Sequence, residues 1–269
     1  MGAVPHDPRP IAAANPRDHP RPRLRERVAF YLGFVAGGIW LLACSVLGLL
    51  ILLVAPRNRN MVFLFARVVC GGIVRMMGWR IQVTPRDRLD VVRPCVFVAN
   101  HQSIMDVLTY GAIVPRRTVA VGKREIGAIP LFGWFFRASG NLVIERGNSE
   151  DAKRMLAEAA ARLNEEKLSV WFMPEGHRNK GEVLLPFKTG AFRLAAAAGV
   201  PVVPVVSAPI TAVVDTRRQR TRPGTLRMRV LAPVSANVTG EEELAALAVS
   251  VREAMQRELD ALVEEQARP

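Results

Sequence analysis

Cysteine is scarce in this chain of 269 residues, which contains only Cys44, Cys70 and Cys95. Their spacing matches no zinc-ligand pattern, and a disulfide framework is not expected from three isolated cysteines. We therefore expect buried thiols in a reducing compartment and no metal site. Aromatic residues are also few, at 6% with two tyrosines, and they form no pattern suited to stacking nucleobases.

Acidic residues are outnumbered by basic ones. The chain has 24 Asp and Glu against 37 Lys and Arg, which gives a formal net charge of +13. Such a surface attracts anions, and nucleic acid, acidic lipid headgroups and phosphorylated substrates all qualify. Hydrophobic residues make up 50% of the chain and the mean hydropathy is positive, which is unusual for a purely soluble protein.

Charge is absent altogether from residues 28 to 56. As one helix this run is about 44 Å long, against about 30 Å for the hydrocarbon core of a bilayer. Residues 1–27 before it predict a disordered, basic, Pro-rich tail. We interpret residues 28–83 as membrane-associated helices, either a single span or a hairpin in one leaflet that breaks at Gly37-Gly38. Because both flanks of the apolar run are basic, the distribution of charge does not indicate its orientation.

Residues 84–269 alternate short apolar runs with amphipathic stretches. This texture predicts an α/β domain with a mixed sheet flanked by helices. Helices are expected after Ser149, from Gly190 to Ala198, and behind a capping box of Thr239 and Glu242. Five segments read as buried strands, Cys95–Ala99, Thr118–Val121, Asn141–Ile144, Ser169–Phe172 and Val202–Val206.

A histidine and an aspartate follow the first of these strands in the segment Asn100-His-Gln-Ser-Ile-Met-Asp106. We expect His101 in the loop before a helix and Asp106 one turn inside it. The carboxylate then reaches one imidazole nitrogen and leaves the other free to take a proton. Alone, the pair is also compatible with a helix-start histidine beside a surface aspartate.

Two further clusters follow strand ends, where ligands often bind in α/β folds. The segment Phe172-Met-Pro-Glu-Gly-His-Arg178 offers the Glu175 carboxylate for a hydroxyl and the Arg178 guanidinium for a phosphate. Lys123 and Arg146 each place a cation after a strand. Each cluster alone is equally compatible with an ordinary polar turn or a solvated surface charge.

Taken together, these blocks resemble the bacterial 1-acyl-sn-glycerol-3-phosphate acyltransferases of the glycerolipid acyltransferase family. The resemblance covers residues 95 to 207 in four ordered blocks, Asn100–Asp106, Val121–Arg146, Phe172–Arg178 with Leu185–Phe192, and Val200–Val205. His177 stands where the family usually has threonine, and Glu145 where it usually has aspartate.

The resemblance implies a function for these residues. It implies that His101 is the general base, supported by Asp106, in a reaction that moves an acyl group from acyl-CoA or an acylated acyl carrier protein to the sn-2 hydroxyl of lysophosphatidic acid. It also implies that Lys123, Arg146 and Arg178 bind the substrate phosphate. Glu175 and Gly176 are expected to shape the acceptor site, and no cofactor is expected. The expected location is the bacterial inner membrane, with the catalytic domain on the cytoplasmic face.

Two rival interpretations remain. One keeps the chemistry and changes the acceptor to glycerol 3-phosphate or lyso-ornithine lipid. The other is a non-enzymatic, membrane-tethered basic protein that binds nucleic acid or anionic lipid. The second rival explains the charge and the apolar run, but it does not explain why His101 and Asp106 occur with the other blocks.

Overall fold

A computed structural model describes residues 22–55, 60–144, 149–179 and 183–267. A seven-stranded sheet in the order β1-β9-β6-β2-β5-β3-β4 forms the centre of the protein, and β7 and β8 make a separate hairpin. The α/β domain with a mixed sheet is therefore confirmed. The strands are β1 Trp79–Thr84, β2 Val96–Ala99, β3 Thr118–Lys123, β4 Leu142–Ile144, β5 Ser169–Phe172, β6 Val202–Ser207, β7 Val214–Asp215, β8 Arg220–Thr221 and β9 Gly224–Val230.

The direction of the strands determines where a site can form. Strands β2 to β6 are mutually parallel, so their carboxyl ends meet at one edge of the sheet. Strand β9 runs antiparallel to β6, and β1 runs parallel to β9. The loops that follow β2, β3, β4 and β5 all leave from the same edge, and these loops carry the predicted site residues.

Helices pack around the sheet and close the core. The wholly buried strands β2 and β6 have no polar face, as expected for parallel strands covered on both sides. Helix α7 ends at Gly199, whose φ of 65° is the left-handed conformation typical of a glycine helix stop. The helices are α1 Leu24–Val54, α2 Met61–Met76, α3 Arg88–Val91, α4 Asp106–Gly111, α5 Phe132–Ala138, α6 Ser149–Glu165, α7 Gly190–Ala198 and α8 Glu241–Ala267.

Helix α1 is continuous through Gly37-Gly38, so of the two alternatives drawn from the sequence the hairpin that breaks there is wrong. Of the described residues, this is the one helix long and apolar enough to cross a membrane. Glycine lets it approach α5 closely at Gly48, where a Cβ would overlap Phe135, whereas a Cβ on Gly37 would make only ordinary contact with Ile73 of α2. At its start, Arg27 donates to Gln219 beside β8 at 3.0 Å. The globular domain therefore contacts α1 near both of its ends.

The structure corrects three boundaries drawn from sequence. Residues 79–84 form β1 rather than the end of a membrane helix, because they pair in register with β9. Helix α1 already begins at Leu24, inside the predicted tail, whose first 21 residues lie outside the described residues. At the start of α8 the side chain that accepts from the backbone of Thr239 and Gly240 is Glu243, not Glu242.

Candidate active site

The loop after β2 places His101 against Asp106. The distance between His101 Nδ1 and Asp106 Oδ2 is 2.9 Å, and the Asp106 carboxylate is almost completely buried. A carboxylate only accepts hydrogen bonds, so Nδ1 carries the hydrogen and Nε2 is left with its lone pair. Asp106 is the first residue of α4 and not one turn inside it, as the sequence had suggested. The loop between β2 and α4 is therefore longer than expected.

One oxygen of Asp106 also organises the loop. Oδ2 accepts the backbone N–H of Gln102 at 2.5 Å and that of Ser103 at 2.8 Å, in addition to the imidazole. These bonds satisfy donors that precede the first turn of α4. The aspartate thus fixes both the orientation of the histidine ring and the path of the chain that carries it.

Glu175 joins the loop after β5 to the histidine loop. Its Oε1 accepts the backbone N–H of His101 at 2.7 Å and its Oε2 accepts that of Leu185 at 2.9 Å. The side chain is 3% exposed. Burial raises the pKa of Glu175, and the two backbone bonds, Asn179 and the nearby His101 oppose the rise. Because both oxygens accept backbone N–H groups, Glu175 is a brace between two loops, a role that the sequence had not suggested.

Gly176 lies in the left-handed region with a φ of 70°. A Cβ at this position would come within 2.9 Å of the Lys188 side chain. The Lys188 backbone N–H also bonds the carbonyl of Pro174 at 2.9 Å, so the segment after Val183 folds back over the loop. Lys188 was not singled out from the sequence. The left-handed glycine four residues after a buried strand is the signal that marks this close approach.

A buried polar network behind His101 was also missed. Tyr110 donates its hydroxyl to Asn100 Oδ1 at 2.9 Å, and the same Oδ1 accepts the backbone N–H of Ser207 at 2.8 Å. Burial, with the charges of Asp106 and Glu175, raises the pKa of Tyr110 well above its usual range. Gln102 Nε2 donates to the carbonyl of Ser207 at 2.9 Å. These bonds connect the end of β2 to the end of β6 and hold the residues on both sides of the histidine.

The structure places the predicted cations unequally. Arg178 lies exposed in the loop after β5, two residues beyond Gly176. The backbone of Lys123 ends β3, on the same sheet edge as His101. Arg146 lies outside the described residues. In the part of the chain that is described, no three His, Cys, Asp or Glu residues gather in a way that could hold a metal ion.

This arrangement supports proton transfer at His101 Nε2. The His101 side chain is 17% exposed, so a substrate can reach the ring while Asp106 beneath it stays dry. Asp106 stabilises the imidazolium that forms when Nε2 takes a proton. The cysteines do not compete as nucleophiles in the described structure, since all three are buried, and burial raises the pKa of Cys95 to about 12.

Comparison with known proteins gives consistent matches. A sequence profile of the family described as Acyltransferase matches residues 80–208. The 1-acyl-sn-glycerol-3-phosphate acyltransferase of Escherichia coli (strain K12) is 33% identical over 229 residues, which are 85% of this chain and 92% of that protein. The same-named protein of Haemophilus influenzae is 33% identical over 224 residues, 83% of this chain and 92% of that one.

Two further matches agree. The 1-acyl-sn-glycerol-3-phosphate acyltransferase alpha of Mus musculus is 35% identical over 234 residues, 85% of this chain and 78% of that protein. The crystal structure of the 1-acyl-sn-glycerophosphate (LPA) acyltransferase from Thermotoga maritima superposes with a TM-score of 0.73 at 23% identity, over 91% of this chain and 98% of that one. That structure is similar in fold. The chain therefore belongs to the 1-acyl-sn-glycerol-3-phosphate acyltransferase family and is an acyltransferase.

Proposed function

We propose that this protein transfers an acyl group from an acyl thioester to the sn-2 hydroxyl of lysophosphatidic acid and so makes phosphatidic acid. The observation that carries the proposal is the His101 ring, held through Nδ1 by buried Asp106 with Nε2 left free. The names of its relatives support the acceptor, because they act on 1-acyl-sn-glycerol 3-phosphate. The donor is acyl-CoA or acyl carrier protein.

The reaction runs as direct transfer. The acceptor hydroxyl oxygen bonds to the thioester carbonyl carbon while its proton passes to His101 Nε2, because a neutral alcohol is a weak nucleophile. The tetrahedral intermediate then collapses, the C–S bond breaks, and the imidazolium returns the proton to the departing thiolate. Neither a covalent acyl-enzyme nor a cofactor is required. Backbone N–H groups near Gly176 are suitable donors to the oxyanion.

The phosphate of the acceptor is assigned to Lys123, Arg146 and Arg178. Arg178 supports this assignment best, because it is exposed in the loop that Glu175 ties to His101. A guanidinium there pairs with phosphate oxygens in two parallel hydrogen bonds. By this assignment Gly176 gives the acceptor close access to the loop, and Glu175 shapes the acceptor site by holding the two loops together.

We also propose that the enzyme works at the inner face of a bacterial membrane, with α1 lying within one leaflet. Contacts at both ends of α1 support this placement over a perpendicular span. Arg27 touches Gln219 and Gly48 touches Phe135, about 32 Å apart along a straight helix. A perpendicular span would carry part of the globular domain through the hydrocarbon with it. The leaflet placement leaves the domain at headgroup depth, where acceptor and product reside.

The proposal is tested by following thiol release from acyl-CoA in detergent, with and without lysophosphatidic acid, for the wild type and His101→Ala. Acceptor-dependent release that the variant loses, with an unchanged melting temperature, is expected. Release independent of acceptor would indicate a thioesterase instead. A panel with glycerol 3-phosphate and lyso-ornithine lipid tests the acceptor, and no release with any acceptor from acyl-CoA or acyl carrier protein donors would refute the enzyme proposal.

A further inference from the structure

An arginine-rich hairpin lies outside the catalytic site. Strands β7 and β8 pair antiparallel, and Thr221 of β8 is buried, where its hydroxyl accepts the Trp79 indole N–H at 3.1 Å. Side chains alternate along a strand, so half-buried Arg220 lies on the face opposite Thr221, and Arg222 just after the strand is exposed, with its Nε donating to the Ala212 carbonyl at 2.8 Å. Arg217 is exposed at the turn. The hairpin therefore presents guanidinium groups outward on a fixed backbone.

This hairpin lies beside the first turn of α1. Arg27 Nη2 donates to Gln219 Oε1 at 3.0 Å, which joins the tip of the hairpin to the apolar helix. These two residues are 192 positions apart in the sequence and meet only in the folded chain. Together the two segments form a basic collar, defined as Arg23, Arg25, Arg27, Arg217, Arg218, Arg220 and Arg222.

The collar keeps most of its positive charge. Asp215 pairs with Arg218 at 3.4 Å, and Glu26 accepts the backbone N–H of Arg23 at 2.8 Å. These are the acidic residues within the two segments. No hydrogen bond or ion pair within the described structure occupies the side chains of Arg217 and Arg220. Positive charges gathered this closely repel one another, so an external anion is needed to offset them.

An apolar surface continues from the collar along α1. Leu24 is 78% exposed, Leu32 64% and Val35 62%, and Tyr31 stands among them at 48%. A ring of arginine next to exposed aliphatic side chains and a tyrosine suits the boundary between headgroups and acyl chains. A soluble acidic protein or a nucleic acid would pair with the arginines and leave this apolar face in water.

We propose that the basic collar binds the anionic headgroups of membrane phospholipids at the point where α1 enters the lipid. Each arginine pairs with headgroup phosphates while the exposed face of α1 takes the acyl chains. The collar makes attachment depend on the lipid charge, beyond the apolar anchoring that α1 provides in any bilayer. It is separate from the acceptor site, since none of its residues belongs to the loops around His101.

The test uses the full chain, diluted from detergent into vesicles of phosphatidylcholine with or without phosphatidylglycerol. Arg217→Gln/Arg220→Gln removes two collar charges that hold no internal bond. Lys167→Gln/Arg257→Gln is the matched control, because it removes the same charge from two exposed positions elsewhere, two residues before β5 and in α8. Flotation gives the partition ratio between the two vesicle types at low and high salt.

The wild type is expected to prefer anionic vesicles, and the collar variant to lose roughly tenfold or more of that preference while the control keeps it. High salt should also reduce the preference of the wild type for anionic vesicles, because it screens the collar charges. Acyl transfer in detergent micelles should be equal in all three proteins, which keeps this test distinct from that of the proposed function. An equal loss in the control, no preference for anionic vesicles in the wild type, or an intact preference in the collar variant would overturn the proposal.

Discussion

One oxygen of Asp106 performs two tasks, and Asp106→Asn should separate them. Oδ2 accepts the two backbone N–H groups of Gln102 and Ser103 as well as His101 Nδ1. An asparagine amide oxygen in the same place still accepts all three bonds. The opposite orientation of the asparagine amide would place its NH₂ group against these same three donors, so that orientation is disfavoured. The variant therefore keeps the loop and the tautomer and removes only the negative charge.

The loss of activity follows from that charge. Attraction between the imidazolium and a carboxylate about 4 Å away is worth about 4 kcal/mol at an effective dielectric constant near 20. Since this attraction exists only once His101 has taken the proton, its loss should lower kcat by roughly 100- to 1000-fold. The free energy of unfolding should fall by only about 1 kcal/mol, because the hydrogen bonds remain as neutral ones.

Asp106→Ala provides the comparison. It leaves the N–H groups of Gln102 and Ser103 without their acceptor, which costs about 2 kcal/mol or more of unfolding free energy. Thiol release gives kcat, and chemical unfolding in detergent gives stability. In a His101→Ala background, Asp106→Asn should add no further loss, since the aspartate acts through the histidine. Wild-type turnover in Asp106→Asn, or an equal loss with and without His101, would refute the reasoning.

Two further predictions concern the loop after β5. Glu175→Gln leaves one backbone N–H, that of His101 or Leu185, facing an amide NH₂, and should lower the free energy of unfolding by about 1–3 kcal/mol. Burial raises the pKa of Glu175 in the folded state above its ordinary 4.5, so protonation of this carboxyl stabilises the folded protein. The stabilisation is fully present below pH 4.5 and is lost as the pH rises through the folded-state pKa. The stability gap between wild type and variant, measured by urea unfolding, should therefore widen as pH falls from neutral to about 4.5; a gap that narrows would contradict this cause. Gly176→Ala forces a side chain into the left-handed region and against Lys188, and should cost about 1–2 kcal/mol in a thermal melt. Gly190→Ala, at the start of α7 with open space around its Cβ, is the matched control and should be neutral or stabilising, so equal effects at the two positions would argue against backbone strain.

Much of the secondary structure could be predicted from local pattern. The apolar run Ser169–Phe172 and the helix Gly190–Ala198 with its glycine stop were placed at their observed bounds. Prediction failed where long-range contacts override local pattern. Residues 79–83 were assigned to the membrane-associated helices because they continue an apolar, arginine-bearing stretch, yet pairing with β9 makes them part of the strand β1. Helix α1 likewise continues through Gly37-Gly38, where the local sequence also allowed a break, and Gly37 lies against Ile73 of α2.

The sequence by itself determined which residues are available for the proposed chemistry, because the nature and order of His101, Asp106 and the loop Phe172–Arg178 are covalent facts. Only the tertiary structure decided how Glu175 is used. A carboxylate that looks available for a hydroxyl in the sequence is occupied by the backbone N–H groups of His101 and Leu185, which lie 74 and 10 positions away. The same holds for the basic collar, whose halves are far apart in sequence. Backbone donors and distant side chains carry no local signature, so their partners exist only once the chain has folded.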